Sequence, residues 1–85
     1  MRSLLLDGRT LGDQAALHPL LAQALSFPSW YGGNLDALFD CLTGLREEVS
    51  ITLRALDELT PYAQRVVKVL QAAAQENPHL HLHTD

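Results

Sequence analysis

The chain has 85 residues, 47% hydrophobic and 19% charged, with ten acids against six lysines and arginines for a net charge of −4. That length makes one domain with a modest core, the single cysteine excludes an internal disulfide, and the acidic balance argues against direct nucleic-acid binding, which usually shows a basic patch. No apolar run nears the roughly 20 residues of a membrane span, and the apolar run near the N-terminus is too short for a signal peptide, so a single cytoplasmic domain over residues 1–85 is expected.

Arg2 to Leu6 reads as a short strand closed by the turn pair Asp7-Gly8. Asp13 is a candidate N-cap for a helix that turns Leu17, Leu20, Leu21, Ala24 and Leu25 inward. Pro19 is tolerated only near a helix start, which places the regular helix from Ala16 to Leu25. Phe27-Pro28 then turns the chain into a loop of two aromatics and two glycines, Trp30-Tyr31-Gly32-Gly33.

Asn34 is the N-cap of the next helix, because its side-chain oxygen can accept from free N–H groups of the first turn. Leu35, Leu38, Phe39 and Leu42 recur at helical spacing and form one apolar face, and Gly44 is expected to close the helix in the left-handed conformation. Cys41 flanks that face as a small core hydrophobe. The opposite face carries Asp36, Asp40 and Thr43, with no lysine or arginine between Arg9 and Arg46. Like charges one turn apart cost an isolated helix about 0.2–0.5 kcal/mol, and a cationic partner from outside the chain would account for their presence.

Glu47-Glu48 leads into Val49–Arg54, whose strict alternation marks a half-buried strand. Ala55 to Leu59 is read as one helical turn. Thr60-Pro61 opens a helix that buries Ala63, Val66, Val67, Leu70, Ala73 and Ala74 and stops at Asn77-Pro78. The alternating His79-Leu80-His81-Leu82-His83 closes the chain as a third strand. Strands joined by helical crossovers are parallel, and right-handed crossovers advancing in one direction put every helix on one face. The expected fold is therefore α/β with two layers: a three-stranded parallel sheet in the order 1-2-3, Val49–Arg54 central, with helices packed on one face.

The run Trp30-Tyr31-Gly32-Gly33-Asn34-Leu35-Asp36-Ala37-Leu38-Phe39-Asp40, followed by Leu42-Thr43-Gly44, resembles the signature of the barstar family. These proteins are intracellular inhibitors of secreted microbial ribonucleases. The resemblance implies the same two-layer fold, a small basic ribonuclease of the barnase type as partner, an immunity-like role, and a chain that is monomeric when free. It also implies that Asp36 and Asp40 stand in for RNA phosphates in the nuclease, with Trp30, Tyr31, Gly32, Asn34 and Thr43 as surrounding contacts. Trp30 occupies a position where family members carry tyrosine. Phe39 and Leu45 replace family tryptophans, Ala72 replaces a glutamate late in the last helix, and Arg46 adds a positive charge near the expected interface. These departures leave room for an alternative, a module of the same fold that binds a basic protein other than a ribonuclease.

His79, His81 and His83 fall on one strand face, and His-x-His on a strand is a metal-binding geometry. The sequence places no acid or cysteine beside them, so a solvated strand face is the preferred reading. No metal or cofactor is expected. No histidine is fixed near Asp36 and Asp40 either, so no acid–base catalysis and no enzymatic role are expected.

Overall fold

The computed structural model describes residues 1–85, folded as β1 (Arg2–Asp7), α1 (Gly8–Gly12), α2 (Gln14–Ala24), α3 (Leu35–Thr43), β2 (Val49–Arg54), α4 (Pro61–Glu76) and β3 (Leu80–Thr84). The sheet is parallel throughout, in the order β1-β2-β3, as the alternating patterns require. Leu4 pairs with Ile51 and Ile51 with Leu82 on the inner face, while Leu5, Thr52 and His83 share a register on the outer face. Helices cover only the inner face, so Leu5 remains 59% exposed. The core runs between the layers: Leu6, Val49, Ile51, Leu53 and Leu80 from the sheet meet Leu11, Leu17, Leu21, Leu38, Leu42, Val66 and Leu70 from the helices.

Each helix starts on a side-chain cap. Asp7 accepts from Thr10 N–H, Asp13 from Ala16 N–H, Asn34 from Ala37 N–H and Thr60 from Ala63 N–H. A cap of this kind is worth about 0.5–2 kcal/mol.

The structure departs from the sequence expectation at several points. Asp7-Gly8 is not a free turn: Asp7 ends β1 and caps α1, a short helix that buries Leu11 completely. A Cβ on Gly8 would lie 2.4 Å from the Ala55 carbonyl oxygen, so the approach of β1 to the end of β2 requires glycine. α2 begins at Gln14 and runs through Pro19, two residues earlier than expected. The proline sits only one turn in, exposed, where its missing N–H removes a single hydrogen bond. Leu20 faces solvent at 40% exposure, because the buried stripe of α2 is Leu17, His18 and Leu21, with Leu25 at its end. Val67 and Ala74 are half-buried at the border of the α4 stripe. Ala55–Leu59 is not helical; Ala55 adopts φ 56° and a turn follows at Asp57-Glu58. Gly44 closes α3 at φ −89°, in the right-handed region, so its freedom is not what ends the helix.

Two polar residues are buried, His18 at 5% and Asn77 at 3% exposure. The His18 ring bridges two elements: Nδ1 is hydrogen-bonded to the Tyr31 hydroxyl and Nε2 to the Tyr62 hydroxyl at 2.6 Å. Asn77 Nδ2 donates to the carbonyls of Leu42 (2.8 Å) and Leu45 (3.0 Å), and its Oδ1 accepts from His79 N–H. It thereby ties the end of α3 to the end of α4.

Asn77→Ala leaves those carbonyls and the His79 N–H without their partner, and each buried group left unsatisfied costs about 1–3 kcal/mol. A loss of at least that size in urea-unfolding stability is expected. The pH dependence has a separate origin. Burial holds His18 below its usual 6.5, so on acidification the unfolded chain takes up a proton that the folded chain refuses. The His18 contribution is therefore flat above neutral pH, and stability falls as pH drops through 6.5 toward the lowered native value. Asp7 and Glu48, held below their ordinary 3.8 and 4.5 by hydrogen bonds from Thr10 and from His81 with His79, add a further loss only at lower pH. Urea midpoints at about pH 7.5 and about pH 5.5 should differ in the wild type and converge in His18→Gln.

Candidate functional site

α3 buries Leu38, Cys41 and Leu42 against the core and packs on α4. Burying that face drives the opposite one outward, and Asp36 and Asp40 emerge exposed, one turn apart. The protein has three side-chain ion pairs, Arg2–Glu47, Glu48–His79 and Glu48–His81. Neither Asp36 nor Asp40 takes part in any of them, so no cation of this chain lies within 4.0 Å of either carboxylate. Asp36 sits in the first turn of α3, where the helix N-terminus favours a negative charge. Asp40 lies a turn further and has no such support.

Beside the acids runs a groove of about 510 Å³. Leu35 and Phe39 of α3 line it together with Val69, Lys68 and Ala72 of α4, and the two carboxylates stand at its edge. The α4 wall holds Lys68, and Ala72 stands there where the family resemblance leads one to expect an acid.

The loop before α3 brings the remaining sequence-identified residues alongside. Trp30 is 63% exposed. Tyr31 turns inward: its ring packs edge-on against Phe27, with centroids 4.9 Å apart, and its hydroxyl is taken up by His18. Burial pushes the Tyr31 phenol up to about 12, so what Tyr31 exposes is part of its ring rather than a free hydroxyl. Gly33 adopts φ 70° with its backbone against His18, which makes it the glycine the loop geometry requires. Gly32 is exposed, and a Cβ there would meet the Asn34 side-chain nitrogen at 3.3 Å. Asn34 uses its side-chain oxygen on the helix cap, which leaves its amide nitrogen at the surface. Thr43 is half-buried, with its hydroxyl turned back onto the carbonyls of Phe39 (2.9 Å) and Asp40 (3.2 Å). Cys41 is buried, and burial beside Asp40 raises its thiol pKa.

The histidines occupy a different face. Glu48 bridges His79 and His81 on the open side of the sheet, accepting from His81 at 2.9 Å. The register that sets Val49 beside Leu80 puts Glu48 next to His79, a proximity across strands that local sequence does not contain. No three His, Cys, Asp or Glu side chains are arranged to hold a metal ion, and no helix is long and apolar enough to cross a membrane. The groove contribution of Lys68 was also not anticipated, although the lack of any acid in α4 before Glu76 is a signal that could have drawn attention to it.

Comparison with known proteins identifies the family. The family model described as barstar (barnase inhibitor) matches residues 1–83. The Bacillus subtilis (strain 168) protein named "Putative ribonuclease inhibitor YrdF" is 40% identical over 81 aligned positions, covering 89% of each chain. With a match across nearly its whole length, and the fold and motif that go with it, the chain belongs to the Barstar family.

Proposed function

We propose that this protein is an inhibitor that blocks the active site of a small basic ribonuclease of the barnase type, with Asp40 as central anchor and Asp36 beside it. Trp30, Tyr31, Gly32, Asn34 and Thr43 supply the surrounding contacts. The observation that carries this reading is the pair of exposed carboxylates on α3 with no cation of the chain bound to either. A ribonuclease site must be rich in cationic groups, because phosphate contacts dominate affinity for nucleic acid. Two carboxylates one turn apart offer such a site two anionic centres at a spacing near that of neighbouring phosphates. Trp30 adds a large, rigid, amphipathic surface of the kind that dominates interface energetics. Membership of a family described by its inhibition of barnase, and the name of the B. subtilis relative, support the same reading.

In this reading the protein acts as a monomer in the cytoplasm, giving immunity to a nuclease destined for secretion, and it has no catalytic residue of its own. A second reading, a basic partner that is not a ribonuclease, is favoured by one observation: Ala72 offers no acid on the α4 wall of the groove. An inhibition assay against a panel of small microbial ribonucleases separates the two. Under the first reading at least one nuclease is stoichiometrically inhibited, and under the second none is.

Against the nuclease that is inhibited, Asp40→Ala should weaken binding by about 2–5 kcal/mol, the range for truncating one member of a desolvated charge pair. Asp36→Ala should cost less, and neither should lower stability to urea by more than about 0.5 kcal/mol, since both side chains are exposed. Wild-type affinity in both variants would remove the acidic pair from the interface. Opposite fields accelerate encounter, so the association rate measured by stopped flow should fall steeply as salt is raised. A flat salt profile would argue against charge steering.

A further inference from the structure

Asp36 and Asp40 stand on turns of α3 that are held by different means. Asp36 lies in the first turn, which Asn34 caps through the Ala37 N–H. Asp40 lies in the last: the final hydrogen bond of the helix ladder runs from Gly44 N–H to the Asp40 carbonyl at 3.1 Å. The end of a helix leaves carbonyls with no partner in the helix itself, and a residue in the left-handed conformation is a common local way to close them. Gly44 does not do this, since its φ is −89°.

The closure comes instead from another element. Asn77 Nδ2 donates to the carbonyls of Leu42 and Leu45, which flank Thr43 and Gly44. Asn77 is only 3% exposed, and each of its other polar groups is engaged too. Its N–H donates to the Ala73 carbonyl, its own carbonyl accepts from Leu80 N–H, and its Oδ1 accepts from His79 N–H. The His79 bond holds the amide with Nδ2 facing α3. The last turn of α3 is therefore tied to the point where α4 passes into β3.

Truncating Asn77 releases the Leu42 and Leu45 carbonyls and lets that turn fray, so the Asp40 carboxylate samples a wider range of orientations. A partner must then restore the order on binding, and that conformational cost falls on the Asp40 contact. The Asp36 turn keeps its Asn34 cap throughout. We infer that Asn77, although buried away from any partner, is a positioning residue for partner binding, acting on Asp40 through the last turn of α3 and leaving Asp36 unaffected. This inference deepens the reading of Asp40 as the central anchor and rests on it.

The test is a pair of double-mutant cycles against the nuclease that wild type inhibits most strongly. Kd is measured for Asn77→Ala, Asp40→Ala, Asp36→Ala and the two doubles containing Asn77→Ala, with urea curves giving the folded fraction of each. Asn77→Ala should weaken binding about threefold or more. In its background Asp40→Ala should lose about threefold or more of its effect, as coupled residues do, while Asp36→Ala keeps its full effect. A merely structural role would lower the folded fraction and leave both cycles additive. Additive cycles, equal coupling to both acids, or unchanged affinity in Asn77→Ala would each overturn the inference while leaving the interface standing.

Asn77→Asp keeps the acceptor for His79 N–H and removes the donors, so it replaces Asn77→Ala if that variant does not fold. If neither folds, amide exchange in the wild type decides. Gly44 N–H should be protected as well as Leu38 N–H, which bonds the Asn34 carbonyl in the first turn. Exchange of Gly44 at the rate of an open loop counts against a pinned last turn and ends the proposal. Wild-type affinity in Asp40→Ala removes the anchor reading, and this inference with it.

Discussion

The burial of one face of α3 against α4 is the constraint from which the rest of the site follows. Leu38 and Leu42 lose all their exposure in the folded chain, and Cys41 retains 8%. Fully burying a leucine contributes about 1.5–3 kcal/mol, far more than the few tenths at stake in the charge pattern of the opposite face. Packing therefore decides the orientation of the helix. Asp36 and Asp40 face outward because the leucines must face inward, and no internal ion pair is needed to hold them there.

The two ends of the motif are fixed by the only buried polar side chains in the molecule. His18, from α2, holds Tyr31 in the loop that enters α3 and at the same time reaches Tyr62 near the start of α4. Asn77, from the end of α4, holds the carbonyls of Leu42 and Leu45 where α3 finishes. Each buried polar group is satisfied, with no buried side-chain donor or acceptor left without a partner. A satisfied buried hydrogen bond restricts geometry more sharply than apolar contact, because its cost when broken is the full desolvation of the group. α3 and the loop before it are thus pinned at both ends by groups that cannot slide.

The fold was legible in the sequence wherever a periodicity ran long enough to be unambiguous. Val49–Arg54 alternates over its whole length and forms the central strand, and the α3 motif carries its own cap and stripe. The element order then dictated a parallel sheet with one covered face. What was illegible were short or compensated features. α1 spans five residues, too few for a period to show, and its cap Asp7 is followed by a glycine that reads locally as a turn. Pro19 signalled a boundary that tertiary packing overrides, since Leu17 and Leu21 on either side of it are fully buried. In the site, the acids and the exposed tryptophan were visible because they stand on one continuous segment. The Glu48 bridge to His79 and His81 was not, since it joins residues more than thirty positions apart through a register that only the folded sheet sets. The inward turn of Tyr31 depends on His18, thirteen positions earlier, and was equally out of local reach.

The outer face of the sheet contrasts with the helical layer, where the proposed contact surface lies. That face is spread with Ser3, Ser50, Thr52, His81 and His83, and Glu48 spans the gap from β2 to β3. Apart from the exposed His83, its polar groups are short or already engaged with one another, and Leu5 is a single exposed leucine rather than a patch, of the kind ordinary on any surface. The helical layer differs in two ways. It carries charge that the chain does not neutralise, on a helix whose backbone is fixed at both ends. Repulsion between Asp36 and Asp40 is a standing cost of about 0.2–0.5 kcal/mol in the free protein, and a cationic partner relieves it on contact. Because the helix needs no reordering to present the pair, little of the attraction is lost to conformational entropy, and preorganisation of this kind strengthens binding without any additional contact.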